Sequence, residues 1–278
     1  MIQNASRIIR LYLHYISVSI RSQMQYRLSF ALQTFGQVIV CGIDFLAIWA
    51  MFARFGTLRG WRLPEVALFY GMVNVAFSLG DATSRGFDVL PGIVRRGDFD
   101  RLLLRPLGTA FQLAAHSLEL RRLGRLSQAL AVLIYAVCAA GVAWSAAKVA
   151  LLLAAIAGGA CLFYGLIVLQ ATAAFWTVES LEVMNTVTYG GTEVGSYPLS
   201  IFNEWVRRFF TFVVPLACVI YYPALTILGR GPGTAGGGGG GAAVPVFGWF
   251  SPVVGVVFLI ASLRIWRIGV RHYRSTGS

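Results

Sequence analysis

Val149 to Thr177 reads VALLLAAIAGGACLFYGLIVLQATAAFWT, 29 residues without a single charge. About 20 apolar residues suffice for a helix to cross the hydrocarbon core of a bilayer. A helix of a soluble domain needs only one apolar stripe, so a run apolar on every side is a membrane span. Comparable stretches lie on both sides of it, at about 28–53, 64–82 and 126–144 before and about 209–228 and 246–266 after. The second is the most interrupted, by Glu65, Asn74 and Asp81. The expectation is an all-α polytopic membrane protein of six transmembrane helices, with residues 1–278 as one domain.

Composition agrees. Hydrophobic residues make up 57% and charged residues 12%, with a mean hydropathy of +0.71. A soluble domain carries roughly 45–50% and about 25%, and so few charges cannot cover so much apolar side chain. A soluble enzyme, a disordered chain and a disulfide scaffold are excluded. Cys41, Cys138, Cys161 and Cys218 lie inside apolar runs without a CxxC spacing and read as small buried hydrophobes. No cleavable leader is expected, because residues 1–27 carry spaced arginines and no continuous apolar core.

The net charge of +12 comes from 23 basic residues, of which only Lys148 is a lysine. They flank apolar runs, which argues for membrane-side loops and against a nucleic-acid surface. With the N-terminus inside, 18 arginines fall on the cytoplasmic side, including Arg207 and Arg208, and five basic residues fall outside. The positive-inside rule then puts both termini in the cytoplasm of a plasma-membrane protein.

Three segments are not spans. Arg7, Arg10, His14, Ser17 and Arg21 recur at spacings of three and four, one stripe of a helix whose other faces carry Ile8, Leu11, Tyr12 and Tyr15. This predicts an amphipathic helix over residues 1–27, flat on the inner membrane surface with its arginines at lipid headgroups. Residues 83–125 are too charged and too long for a connector. Gly86-Phe87-Asp88 is followed by Arg95-Arg96-Gly97-Asp98-Phe99-Asp100-Arg101, where Asp98 can cap a short helix to Leu104. Charges mixed with Phe87 and Phe99 suit a docking surface with aromatic anchors; the alternative is a segment packed only on its own protein. Residues 229–245 are glycine-rich. They lack the G-x-x-x-x-G-K-[ST] pattern of a phosphate loop and read as a flexible external linker.

Polar residues inside spans mark function or helix pairing. Gln33, Gln37 and Asp44 share one face of the first span, and Asn74, Ser78 and Asp81 share one face of the second. Asp44 and Asn74 are nearly level, each about nine or ten residues from the same end. Two readings stay open, a translocation path and polar glue at a helix or permease interface. No H-E-x-x-H or G-x-S-x-G motif is present, and Asp98/Asp100 sit among arginines, so neither a metal site nor catalysis by this chain is expected.

Taken in order, these motifs resemble those of ABC-2 exporter permeases. The resemblance rests on Gly86-Phe87-Asp88, Gly97-Asp98-Phe99-Asp100 and Leu103-Leu104-Arg105-Pro106-Leu107. It continues through Phe175-Trp176, Tyr197-Pro198-Leu199, Tyr222-Pro223-Ala224 and Trp266-x-x-Gly269-x-x-x-Tyr273. It implies a transport subunit without its own motor: two permease halves, identical or not, with two cytosolic ATPases that bind ATP and Mg beneath them. Residues Gly86 to Arg101 would then form the coupling helix. The resemblance implies an amphipathic or lipid-like cargo. The rival reading is a secondary transporter or channel driven by an ion gradient.

Overall fold

In the computed structural model, residues 27–115, 123–176, 181–230 and 248–273 are described, with Ser17, Arg21 and Gln25. The chain is all-α. Helix α1 (Arg27–Phe55) turns into α2 (Leu63–Ser84). Short helices α3 (Leu90–Arg95), α4 (Phe99–Leu103) and α5 (Thr109–Ala114) follow. Next come α6 (Leu123–Ala139), α7 (Ala146–Ala173) and α8 (Leu181–Gly195). A broken segment runs through α9 (Glu204–Arg208) and π-helical turns to α10 (Tyr222–Leu228), and α11 (Ser251–His272) ends the described chain.

Helix α2 is the hub. Gly159 of α7 meets Ala76, and Gly80 meets Ala160 and Tyr164, so α2 and α7 run in parallel. Helix α11 runs the same way against α7, where a Cβ on Gly255 would collide with the Gly158 carbonyl oxygen. Only two glycines permit backbones this close, the small-residue contact that membrane helices favour. Helices α6 and α8 run opposite to α2: Gly71 packs on Leu133, while Arg125 lies over Phe77. Two ends result. One carries the α1–α2 turn, where Arg59 and Gly60 both have positive φ and Leu58 pairs with Trp61 across them. The other carries residues 85–114 and the last turns of α11, with Arg95, Arg96, Arg101, Arg105, Arg267 and Arg271 exposed.

The expected six spans are not what forms. Among the described residues four helices are long and apolar enough to cross a membrane: Leu28–Phe55, Leu63–Arg95, Ala146–Ala173 and Ser251–His272. The stretch expected at 126–144 yields α6, 17 residues that break before Gly141, about 26 Å at 1.5 Å per residue. The stretch expected at 209–228 bends by 88° between Glu204–Val213 and Ala217–Leu228. Pro215 sits at that break, where its missing N–H and its ring stop a helix. Counted as one, this pair would be a fifth span. Both its flanks nevertheless bond to the α1–α2 turn. Arg59 donates to the Ile201 carbonyl at 3.1 Å and Trp61 to Ser200 at 3.3 Å. Arg230 reaches Gly60 and pairs with Glu65 at 2.8 Å. The pair therefore enters and leaves at one end of the bundle. Arg207 and Arg208, counted above with the opposite end, follow Ile201 there.

The cysteines differ from the expectation of four buried thiols. Cys41 is buried, Cys138 is exposed and the other two are intermediate, since a thiol in a span can face lipid as readily as protein. Arg7, Arg10 and His14 lie outside the described residues, as do residues 231–247; Arg21 is exposed.

Candidate functional site

Between α1, α2, α6 and α8 lies a polar cavity of about 210 Å³. Its fixed wall is Arg125, from the first turn of α6. The guanidinium donates to Asn74 Oδ1 at 2.9 Å and stacks 4.3 Å from the Phe77 ring, while its buried Nε has no partner among the described residues. Asn74 donates in turn to the Tyr70 carbonyl at 2.9 Å and to Ser196 Oγ at 3.3 Å. The Tyr70 hydroxyl donates to the Cys41 carbonyl at 3.2 Å, tying α1 to α2. Asp44 from α1 and Glu193 from α8 complete the lining. Both carboxylate residues are exposed. A charge open to hydrocarbon is costly, so this mouth calls for water or a covering chain.

Of the predicted polar stripes, Asp44 and Asn74 come together in this cavity. Gln33 and Gln37 do not; they bond within α1, to Ser29 at 3.2 Å and to Cys41 Sγ at 3.4 Å. Ser78 and Asp81 are buried, one and two turns further along α2. Sequence reasoning missed Tyr70, Arg125, Glu193, Ser196 and Tyr197. It placed no span over α8, between the fourth and fifth expected stretches, yet the signal was there. Thr188, Gly191, Thr192, Gly195 and Ser196 recur at helical spacing and are buried, while Thr186, Tyr189 and Glu193 are exposed on the other face. The period is that of an amphipathic helix whose second face meets something polar.

The second candidate region is the basic end. Helix α3 stops in a paired backbone cap: Gly97 N–H donates to Val94 and Asp98 N–H to Ile93, both at 3.1 Å. Gly97 has φ +72°, the left-handed residue this cap requires. Asp98 occupies the N-cap position of α4 as expected, but its side chain makes no capping hydrogen bond. Its carboxylate is held instead by Arg96 at 3.2 Å and Arg101 at 3.6 Å, and Arg85 pairs with Asp88. Gly86 is buried. Phe87 and Phe99, expected as anchors for a partner, are fully buried against their own chain. Phe87 meets Trp266 edge-on at 5.3 Å, and Phe99 meets Tyr273 at 4.8 Å and Phe175 at 5.2 Å. Desolvation, with the Asp100 carboxylate close by, raises the Tyr273 phenol above the ordinary tyrosine range. What this aromatic cluster leaves outside is Arg95, Arg96, Arg101, Leu103, Leu104 and Arg105, with Leu104 85% exposed.

The fold and these two regions define an all-α, multi-pass membrane protein with a charged opening among its helices. Among the described residues no group of three or more His, Cys, Asp or Glu could hold a metal ion. The chain belongs to the ABC-2 transporter family: the family model described as ABC-2 family transporter protein matches residues 38–277. No curated protein and no solved structure matches it. Members of this family are non-catalytic transport subunits.

Proposed function

We propose that the chain is the permease subunit of an ATP-driven exporter in the plasma membrane, working with a second permease half and two cytosolic ATPases. The observation that carries this reading is the exposed surface of α3 to α5. Leu103 and Leu104 stand out between Arg95, Arg96, Arg101 and Arg105, while Asp98 is held by Arg96 and Arg101 and Asp100 lies beside the Tyr273 phenol. An apolar patch rimmed by charge is a docking surface. Residues Gly86 to Arg101 form the buttress of the coupling element, and Leu103 to Arg105 touch the ATPase. Both described chain ends reach this basic end, which by the positive-inside rule faces the cytoplasm.

The path for an amphipathic or lipid-like cargo runs along the exposed faces of α1 and α8, past Asp44 and Glu193. The second permease half, a copy or a paralogue, closes the other side of that mouth. The cargo class rests on family analogy.

The test is co-purification of the tagged full chain from its native membrane. The wild type brings down an ATPase. The pair Leu103→Arg and Leu104→Arg inserts normally, loses the ATPase and stops ATP-dependent export. An unchanged ATPase stoichiometry with coupled export overturns the assignment, and export that needs an ion gradient but no ATPase favours the secondary transporter.

A further inference from the structure

At the basic end a groove of about 660 Å³ opens between α5, α7 and α11. Its floor is Tyr164 of α7, one wall is Ala110, Phe111 and Ala114 of α5, and the other is α11. Along α11 the lining residues Leu259, Leu263, Trp266, Arg267, Val270 and Arg271 fall on one helical stripe. The chemistry of that stripe changes along its length. Leu259 and Leu263 are apolar; one turn further on, Arg267 and Arg271 are exposed, and among the described residues neither is paired with a carboxylate. From Leu259 to Arg271 is about 18 Å along the axis, against about 15 Å for half of a 30 Å hydrocarbon core. The groove thus spans one leaflet, with its cations at the headgroup level.

We infer that this groove is a binding site for an anionic phospholipid of the leaflet on the basic side. One acyl chain lies along Leu259, Leu263 and Tyr164, and the phosphate sits between Arg267 and Arg271. Basic pockets between membrane helices are where such headgroups are held, and Arg offers two-pronged donors matched to phosphate oxygens. Position gives the site a consequence. Trp266 donates from its indole N–H to Thr109 Oγ1 at 3.2 Å, at the base of the groove, and the same ring packs on Phe87. A lipid seated here bridges α5 and α11, so it braces the aromatic cluster under the exposed surface of α3 to α5.

Native mass spectrometry of the full-length protein, released from vesicles of equal phosphatidylglycerol and phosphatidylcholine, reads this directly. Wild type is expected to retain phosphatidylglycerol in preference to phosphatidylcholine, and to unfold at higher temperature when it is present. The double variant Arg267→Gln and Arg271→Gln, both on exposed positions, should bind it about thirty-fold more weakly, each single change accounting for several-fold. Leu263→Trp, which fills the groove and leaves both arginines, should also lose the lipid. Arg54→Gln, at the opposite end of α1, should keep it. Equal retention of the two lipids by wild type, or retention of phosphatidylglycerol by the double variant or by a folded Leu263→Trp protein, overturns the site.

Discussion

The polar cavity and the basic platform both gather charge around an aromatic residue, and they handle it in opposite ways. In the platform the acids are taken up locally, Asp88 by Arg85 and Asp98 by Arg96 and Arg101, with Asp100 beside the Tyr273 phenol. The rings below it are sealed from solvent, Phe87 and Phe99 completely. In the cavity Arg125 is pinned to Asn74 and Phe77, while Asp44 and Glu193 stay reachable. Local saturation makes a rigid piece that offers only its outer leucines. Incomplete satisfaction makes a surface ready to be completed by something else. The first suits a mechanical contact and the second suits passage.

Six substitutions bear on that contrast. The largest effect is expected for Phe87→Ala, which empties a fully buried site against Trp266 and Tyr164; such truncations cost about 3–5 kcal/mol. Thermal unfolding in detergent should show it, whereas Leu104→Ala, at an exposed position, should leave the melting temperature alone. Equal losses from both would erase the distinction between buttress and contact. Next is Arg125→Ala, which removes a charged hydrogen bond worth about 1.5–3 kcal/mol from Asn74. It should lower stability and disturb the α2–α6 packing; a neutral outcome would mean that the cavity wall is not fixed by this residue.

Gly97→Ala should come third. A residue with a Cβ in the left-handed region costs about 1–2 kcal/mol, and relaxation of that turn would dislodge Asp98 from its arginines. The readout is weaker ATPase retention together with a modest fall in stability. The smallest structural effect belongs to Asp44→Asn and Glu193→Gln. Both positions are exposed, so stability should shift by less than about 0.5 kcal/mol. Export of a cationic amphipathic dye should nonetheless fall, and further in the double variant than in either alone. Unchanged export with unchanged stability would remove both acids from the path.

Much of this was legible in the sequence, and the part that was not has a physical reason. Uninterrupted apolar runs reveal α1, α7 and α11 because transfer into lipid is a property of composition. The same measure fails at 209–228, where hydropathy stays high across a proline bend whose two arms return to one end. It also fails at α8, which borders a polar opening and so carries Thr186, Tyr189 and Glu193 where a lipid-facing helix would carry leucine. The level of Asp44 with Asn74 followed from counting turns, but Arg125 sat in what looked like a loop rich in arginine, and nothing in its neighbours marked it as a wall. Phe87 and Phe99 were visible as aromatic residues among charges. Which side of the surface they occupied depended on Trp266 and Tyr273, more than 160 positions later in the chain, and no local pattern carries that information.

The contact of Gly158 with Gly255 sets how force travels through the molecule. With no side chain between them, the backbones of α7 and α11 have no layer that could shear or compress, and close-packed atoms yield little. The two helices behave as one girder. The platform is bolted to its lower end through Trp266 and Phe175. A push on Leu103 and Leu104 therefore cannot be absorbed by bending at the crossing. It reaches the opposite end as a tilt of the whole girder, and the lever arm is the length of α11, about 33 Å for its 22 residues.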